Sequence, residues 1–354
     1  MTASTVALLA GLSAGGAQAE DLTLGWAAWD PANALAELSK DVETRSGNTM
    51  HFEFVPWPNF ADRMLNEMNS GGKLCDLLIG DSLWSGGAAE NNQYMKLNDF
   101  FDANGIKMSD FIPATVVGDA EWPKNTENYW ALPVFGDVVG WTYRKDWFAK
   151  PELQAEFKKT YGRDLAPPKS LDELTDIAKF FQGREIDACK SGQVALQMNF
   201  AFVWPGVNTG PNVGGDPTGY FANPRGSKGH VAQLGGQGMS VVANTEHKDA
   251  APACIKWFAQ ADVQKKWWTM GGYSALSSVA NDPSFVTSQP CAQTFRDSMA
   301  MVKDFRAEPS CASLLLAMQQ RVQDYVVAGN GTAQEALDAL VKDWTEVFTD
   351  EGKL

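Results

Sequence analysis

The chain has 354 residues and a formal net charge of −14, with 43 acidic side chains against 29 lysines and arginines. Those basic residues are scattered, which excludes the clustered positive surface that nucleic acid or an anionic membrane requires. The length points to two domains, because single hydrophobic cores stop growing beyond roughly 250–300 residues.

Residues 6–12 are a short apolar run, followed by small residues and the A-x-A pattern Ala17-Gln18-Ala19. The run is too short to span a bilayer, so residues 1–19 are expected to be a signal peptide cleaved after Ala19. The leader lacks an opening Lys or Arg, which places the natural start upstream of Met1 or implies a trimmed leader. Residues 22–26 alternate and read as a first strand. Leu35, Leu38 and Val42 recur at i, i+3, i+7, which predicts one helix over 32–45. Residues 51–56 are a second strand, 60–69 a second helix, and 74–80 a third strand, almost continuously apolar as buried parallel strands are. This alternation predicts a doubly wound α/β lobe. Ligands of such sheets bind outside the carboxyl ends of the strands, so the loops 26–30, 57–59 and 81–86 should face one place.

Pro133 cannot donate to a ladder, so a strand should pause or change partners there, and β-branched and aromatic residues follow it. Ser170-Leu171-Asp172-Glu173 is a capping box that opens a helix running to about residue 181. Residues 204–229 are rich in Gly, Pro and Asn and read as loop. Residues 235–242 return to strand character, and 249–259, 263–270 and 294–302 read as helices. The chain ends with a helix over 314–327, a second box Thr332-Ala333-Gln334-Glu335, and a helix carrying Leu337, Leu340, Val341, Trp344 and Phe348 on one face. Five cysteines (Cys75, Cys189, Cys254, Cys291, Cys311) show no C-x-x-C spacing, and an odd count leaves at least one thiol free. Cys75 and Cys254 read as buried small hydrophobes.

Residues 128–148, NYWALPVFGDVVGWTYRKDWF, resemble the G-x-Y-x-x-P … Y-N-K-D-L-F segment of family 1 extracellular solute-binding proteins. These are the sugar-binding subunits of bacterial ABC importers, the maltose-binding-protein-like group. In that family the segment crosses between lobes beside the ligand. Arg144 stands where the family usually has Asn. Four later blocks resemble the family in the same order. They are Lys190-Ser191-Gly192-Gln193-Val194-Ala195-Leu196, Gln233-Leu234-Gly235-Gly236-Gln237-Gly238, residues 250–264, and residues 331–340. The resemblance covers 21–354 and implies a two-lobe periplasmic binding protein type II fold, each lobe a mostly parallel sheet flanked by helices. The first lobe is expected over 20–132 plus 230–303 and the second over 133–229 plus 304–354. The family spends on the order of 70–90 residues between the positions of Arg184 and Lys190, most of an ordinary domain's length. Their loss implies a shortened, incomplete second lobe.

A sugar presents apolar C–H faces and a rim of hydroxyls, which suit aromatic faces and short polar groups respectively. The aromatics at loop or strand ends are Trp26, Trp29, Trp57, Trp84, Trp130, Trp204 and Tyr273. Asp30, Asp81, Ser82, Asp137, Asn199 and Gln237 are the candidate hydroxyl partners, with Gly236 allowing close backbone approach. For each Trp the competing role is core filling. Gly235-Gly236-Gln237-Gly238 lacks the G-x-G-x-x-G spacing of a phosphate cradle. His51, His230 and His247 are too dispersed for a local zinc pair, and neither a G-x-S-x-G elbow nor a Walker lysine occurs. The resemblance implies a periplasmic, monomeric, cofactor-free protein that captures a carbohydrate and delivers it to an ABC transporter permease. The alternatives are a binding protein for a non-sugar ligand such as a polyamine, and a secreted carbohydrate-active enzyme.

Overall fold

The structure is a computed structural model and describes residues 19–182, 195–207, 218–304 and 309–354. The leader up to residue 18, the join between Arg184 and Lys190, and Cys189 lie outside the described residues. In chain order the strands are β1 (Asp21–Ala28), β2 (Thr49–Pro56), β3 (Leu77–Asp81), β4 (Leu132–Phe135), β5 (Val139–Arg144), β6 (Leu196–Phe200), β7 (Thr218–Phe221), β8 (Ala232–Gln233), β9 (Gln237–Val241) and β10 (Val302–Lys303).

The alternation of Leu22, Leu24 and Trp26 seats β1 in a five-stranded sheet of order β2-β1-β3-β9-β4. β1 pairs in parallel with both β2 and β3, while β9 runs antiparallel to β3 and to β4. Pro133 lies in the edge strand β4, opposite Gly238, with the register shifting between Pro133 and Phe135. An edge strand with a bulge is where a residue without an N–H is tolerated.

The helix expected over 32–45 is broken in two, Asp30–Leu38 and Lys40–Ser46. The Ser39 hydroxyl turns back to donate to the Ala36 carbonyl at 2.8 Å, a local bond that competes with helix continuation. The loops expected at 57–59 and 81–86 are instead helix starts. Trp57–Asn69 begins with Pro58 in its first turn, where a missing N–H is harmless. Ser82–Glu90 is capped by the Asp81 carboxylate, which accepts from the Leu83 amide at 3.1 Å.

The second sheet, of order β6-β5-β7, pairs antiparallel throughout its described strands, whereas the family resemblance implies mostly parallel pairing. The reading of 204–229 as loop misses β7 and the short helix Trp204–Val207. Helices Pro151–Tyr161 and Leu171–Phe181 cover this sheet with a separate small core of Phe148, Phe157, Leu165, Ile177, Phe180, Phe181 and Ala195. At Ser170 half of the expected box forms: its hydroxyl accepts from the Glu173 amide at 3.2 Å, while the Glu173 carboxylate accepts from the Lys169 amide one residue earlier at 2.6 Å.

Three stretches of chain pass side by side between the sheets. Val138 bridges Leu234, and β8 pairs in parallel with β10. The Gly235 amide donates to the Asp137 carbonyl at 3.0 Å, and the Leu234 amide to the Lys303 carbonyl at 3.0 Å.

The last two helices, Cys311–Val326 and Ala333–Asp350, form an antiparallel hairpin. Thr332 and Glu335 make both bonds of the second capping box. Along the expected apolar face of the final helix only Leu340 is buried; Leu337 is 54% exposed and Val341 62%. Cys75, Cys254 and Cys291 are free thiols, and these three and Cys311 are buried. Burial pushes the thiols of Cys75 and Cys254 up to about 12, which makes them inert apolar fillers. Among the described residues no helix is long and apolar enough to cross a membrane.

Candidate functional site

Five strand ends meet at one edge of the first sheet. β1, β2, β3 and β4 finish there, at Ala28, Pro56, Asp81 and Phe135, and β9 begins there because Gln237 stands opposite both Asp81 and Phe135. The residues just beyond these ends, Trp29, Trp57, Ser82, Asp137 and Gly236, therefore share one rim. This is the carboxyl edge at which open α/β sheets take their ligands.

Aromatic side chains fill the rim. Trp29 meets Trp26 edge-on at 5.5 Å, tilts over Trp57 at 5.4 Å and touches Phe135 at 5.0 Å. Trp57 stacks on Phe60 at 6.0 Å, and Phe60 leads to Trp84 at 5.2 Å. From the second sheet, Phe202 packs edge-on against Trp29 at 4.9 Å. The Tyr273 hydroxyl donates to the Ala201 carbonyl at 2.8 Å. The seam thus joins the two sheets by packing and by buried hydrogen bonding.

Polar groups on this seam divide into satisfied and orphaned. Trp26 Nε1 donates to Gln237 Oε1 at 2.8 Å, so both are committed within the fold. Asp137 is buried and accepts from its own Val138 amide at 2.8 Å, with the backbone amides of Phe202 and Ala201 also bonding to it. Burial nonetheless raises its carboxyl to about 8. The indole N–H groups of Trp29 and Trp204 are buried with no acceptor. A buried donor without a partner is costly, so such groups are where a ligand's hydroxyl gains most.

The structure brings Trp26, Trp29, Trp57, Trp84, Gln237 and Tyr273 into one connected set. Trp57 keeps 51% of its surface exposed and forms the outer lip. Trp204 is buried beside Tyr220 at 5.6 Å and lies against Gly140. Ser82 is buried and donates to Asp304 at 3.0 Å. Asp30 is exposed at the start of its helix. Trp130 is turned away, its indole donating to the Trp122 carbonyl at 2.9 Å. Asn199 spends its side-chain oxygen on the Phe200 amide at 2.9 Å. Phe135, Phe202 and Trp267 were missed by sequence reasoning. Phe202 carries a usable signal, standing in the aromatic run NFAFVW beside Trp204. Trp267 sits in a helical stripe and has none.

Compared with known proteins, the family model described as bacterial extracellular solute-binding protein matches residues 28–211. Among solved structures, the GacH receptor of Streptomyces glaucescens GLA.O, studied unliganded and with acarbose, is 16% identical. It matches over 94% of this chain and 99% of that one with a TM-score of 0.77. MalE3 of T. maritima, bound to maltose, is 17% identical over 93% of this chain and 100% of that one, with a TM-score of 0.75. The sugar-binding protein MalE from Xanthomonas citri is 15% identical over 94% and 98%, with a TM-score of 0.74. No curated protein matches by sequence. At such identities the likeness establishes the fold, two α/β lobes of the type II periplasmic binding protein kind.

Proposed function

Because the chain belongs to the bacterial extracellular solute-binding proteins, we propose that it captures a carbohydrate between its lobes and hands it to an ABC transporter permease in the membrane. The observation that carries this reading is the aromatic seam at the carboxyl edge, with the Trp29 indole N–H buried and unpaired within it. Aromatic faces cover the C–H face of a sugar ring, and an orphan donor takes a hydroxyl oxygen. Three adjacent runs of chain between the sheets, one antiparallel to the other two, supply the hinge about which such lobes close on ligand. A ligand shifts that equilibrium only by touching both sides, here Trp29 and Trp57 on one and Phe202 on the other. The acarbose, maltose and sugar named for the similar structures support the same ligand class.

The reading includes a periplasmic, monomeric protein whose second lobe is short between Arg184 and Lys190. A shorter wall offers fewer contacts, so affinity for neutral sugars should be weak. A thermal-shift panel of mono-, di- and oligosaccharides with polyols tests the proposal. Stabilisation by at least one sugar, reduced in a Trp29→Phe variant, is the expected result. A flat response across the panel refutes it, and release of product from an oligosaccharide would replace it with the enzymatic alternative.

A further inference from the structure

One carboxyl beside this rim is buried with nothing to hold it. Asp119, within the single π-helical turn Val116–Ala120, is 2% exposed, and neither of its side-chain oxygens has a hydrogen-bond partner. Those oxygens lie against Gly236: a Cβ built there would come within 2.2 Å of Oδ1. The close approach requires glycine at that position. It also sets Asp119 one residue from Gln237, at the edge where the seam begins.

Two further carboxyls act on Asp119, namely Asp304, which follows β10, and Asp81 at the end of β3. Lys124 is the described cation that acts on it, and Lys124 is bonded to Asp304 Oδ2 at 2.5 Å. The other Asp304 oxygen accepts from Ser82 at 3.0 Å. Three segments distant in sequence therefore bring Asp119 and Asp81 within electrostatic reach of Asp304, whose partner Lys124 also acts on Asp119. Burial raises Asp119 well above the usual carboxylate range and Asp81 to about 6. Even a protonated Asp119 would hold an O–H with no acceptor. In either state the group lacks a partner that the described residues do not supply.

We propose that the captured ligand carries a primary ammonium group and that Asp81, Asp119 and Asp304 form its seat, an inference that rests on the ligand-capture reading above. The three acids are not placed to hold a metal ion; among the described residues no cluster of three His, Cys, Asp or Glu is. An ammonium has three diverging donors and spans carboxyls that do not converge on a point. Each contact is a charge-assisted bond, roughly twice as strong as a neutral one. Asp81 is only partly buried and stands on the rim as the N-cap of the helix Ser82–Glu90. The neighbouring tryptophan faces suit the same cation. Two kinds of molecule carry this group, an amino sugar and a linear polyamine.

The test measures binding of glucosamine, glucose and putrescine to the whole chain by calorimetry at neutral pH and matched ionic strength. Glucosamine should bind at least about tenfold tighter than glucose, and the ratio should fall to within about twofold in Asp119→Asn. If that variant does not fold, as judged by circular dichroism, Asp304→Asn is read for the same ratio. Tight putrescine binding without any sugar response, lost in the same variants, keeps the seat and overturns the carbohydrate reading. Equal binding of glucose and glucosamine, unchanged in the variants, overturns the seat and leaves the carbohydrate reading standing. A binding heat reproduced by sodium chloride alone overturns the seat as a general salt effect. No response to any of the three overturns both.

Discussion

The indole of Trp26 donates to the side-chain oxygen of Gln237 at 2.8 Å, tying the first strand of the chain to one that starts 211 residues later. Both groups are buried, and the bond crosses β3, which lies between their strands. Replacing Gln237 by Leu leaves the indole N–H buried without an acceptor. The expected loss is about 1–3 kcal/mol of unfolding free energy, measured by urea denaturation. A loss within the error of the extrapolation would mean that the bond contributes nothing net.

Trp29 makes the opposite case, because its N–H already lacks an acceptor. Trp29→Phe removes that donor and keeps an aromatic face against Trp57 and Phe202. Stability of the free protein should change by no more than about 1 kcal/mol, while affinity for a responsive sugar should drop about five- to tenfold. Calorimetry and denaturation on one preparation separate the two effects. Equal affinity in both proteins would place the ligand elsewhere.

Asp137 governs a pH dependence. Burial raises its carboxyl from the usual range near 3.8 to about 8. Between those values the native state holds a proton that the unfolded chain has released. Stability contributed by that proton is complete below about pH 4 and is lost as pH rises toward 8. Asp81, raised to about 6, acts in the same direction over a narrower window, and Asp119, raised well above its usual range, acts in the same direction as well. The exposed Asp262 and Asp343, lowered by hydrogen bonds to Arg45 and Arg321, act in the opposite direction but are screened by solvent. Melting temperature should therefore decline from mildly acidic to mildly alkaline pH, and Asp137→Asn should flatten that slope. An unchanged slope in the variant would assign the effect to other groups.

Gly140 tests the second sheet. A Cβ there would come within 2.6 Å of the buried Trp204 ring. Gly140→Ala must displace that ring or the strand, at an expected cost of about 1–3 kcal/mol. Tryptophan fluorescence should shift with it. Wild-type stability with an unshifted spectrum would show that Trp204 has room to move.

Adjacent residues in the final helix should differ sharply. Leu340 is buried against the preceding helix and Val341 is 62% exposed. Leu340→Ala should cost about 2–4 kcal/mol and Val341→Ala less than about 0.5 kcal/mol, by thermal or chemical unfolding. Similar losses would indicate that Val341 is covered in solution.

Local pattern carried much of this molecule. The alternation of Leu22, Leu24 and Trp26 and the apolar run ending at Gly80 place β1 and β3, and Ser170 and Thr332 both cap their helices, the second with the full box its spacing predicts. Aromatics at strand ends were legible because strand order aims those ends at one edge. Helix boundaries were less so, since Ser39 breaks a continuous apolar stripe through a single side-chain bond. The polar side chains were hardest to read. Asp137 and Asn199 have the chemistry to bind hydroxyls, yet each bonds to neighbouring backbone.

By itself the sequence determined the α/β alternation and the acidic character, because periodicity and turn chemistry act over a few residues, while the family resemblance marked the stretch 128–148 as the passage between lobes. Only the tertiary structure decided that Phe202 reaches Trp29 and that Asp119 lies against Gly236 within electrostatic reach of Asp304 and Asp81. Periodicity tells which face of a strand is buried. Which distant residue that face meets depends on strand order, register and the path of the crossing chain, and these emerge only when the whole fold closes.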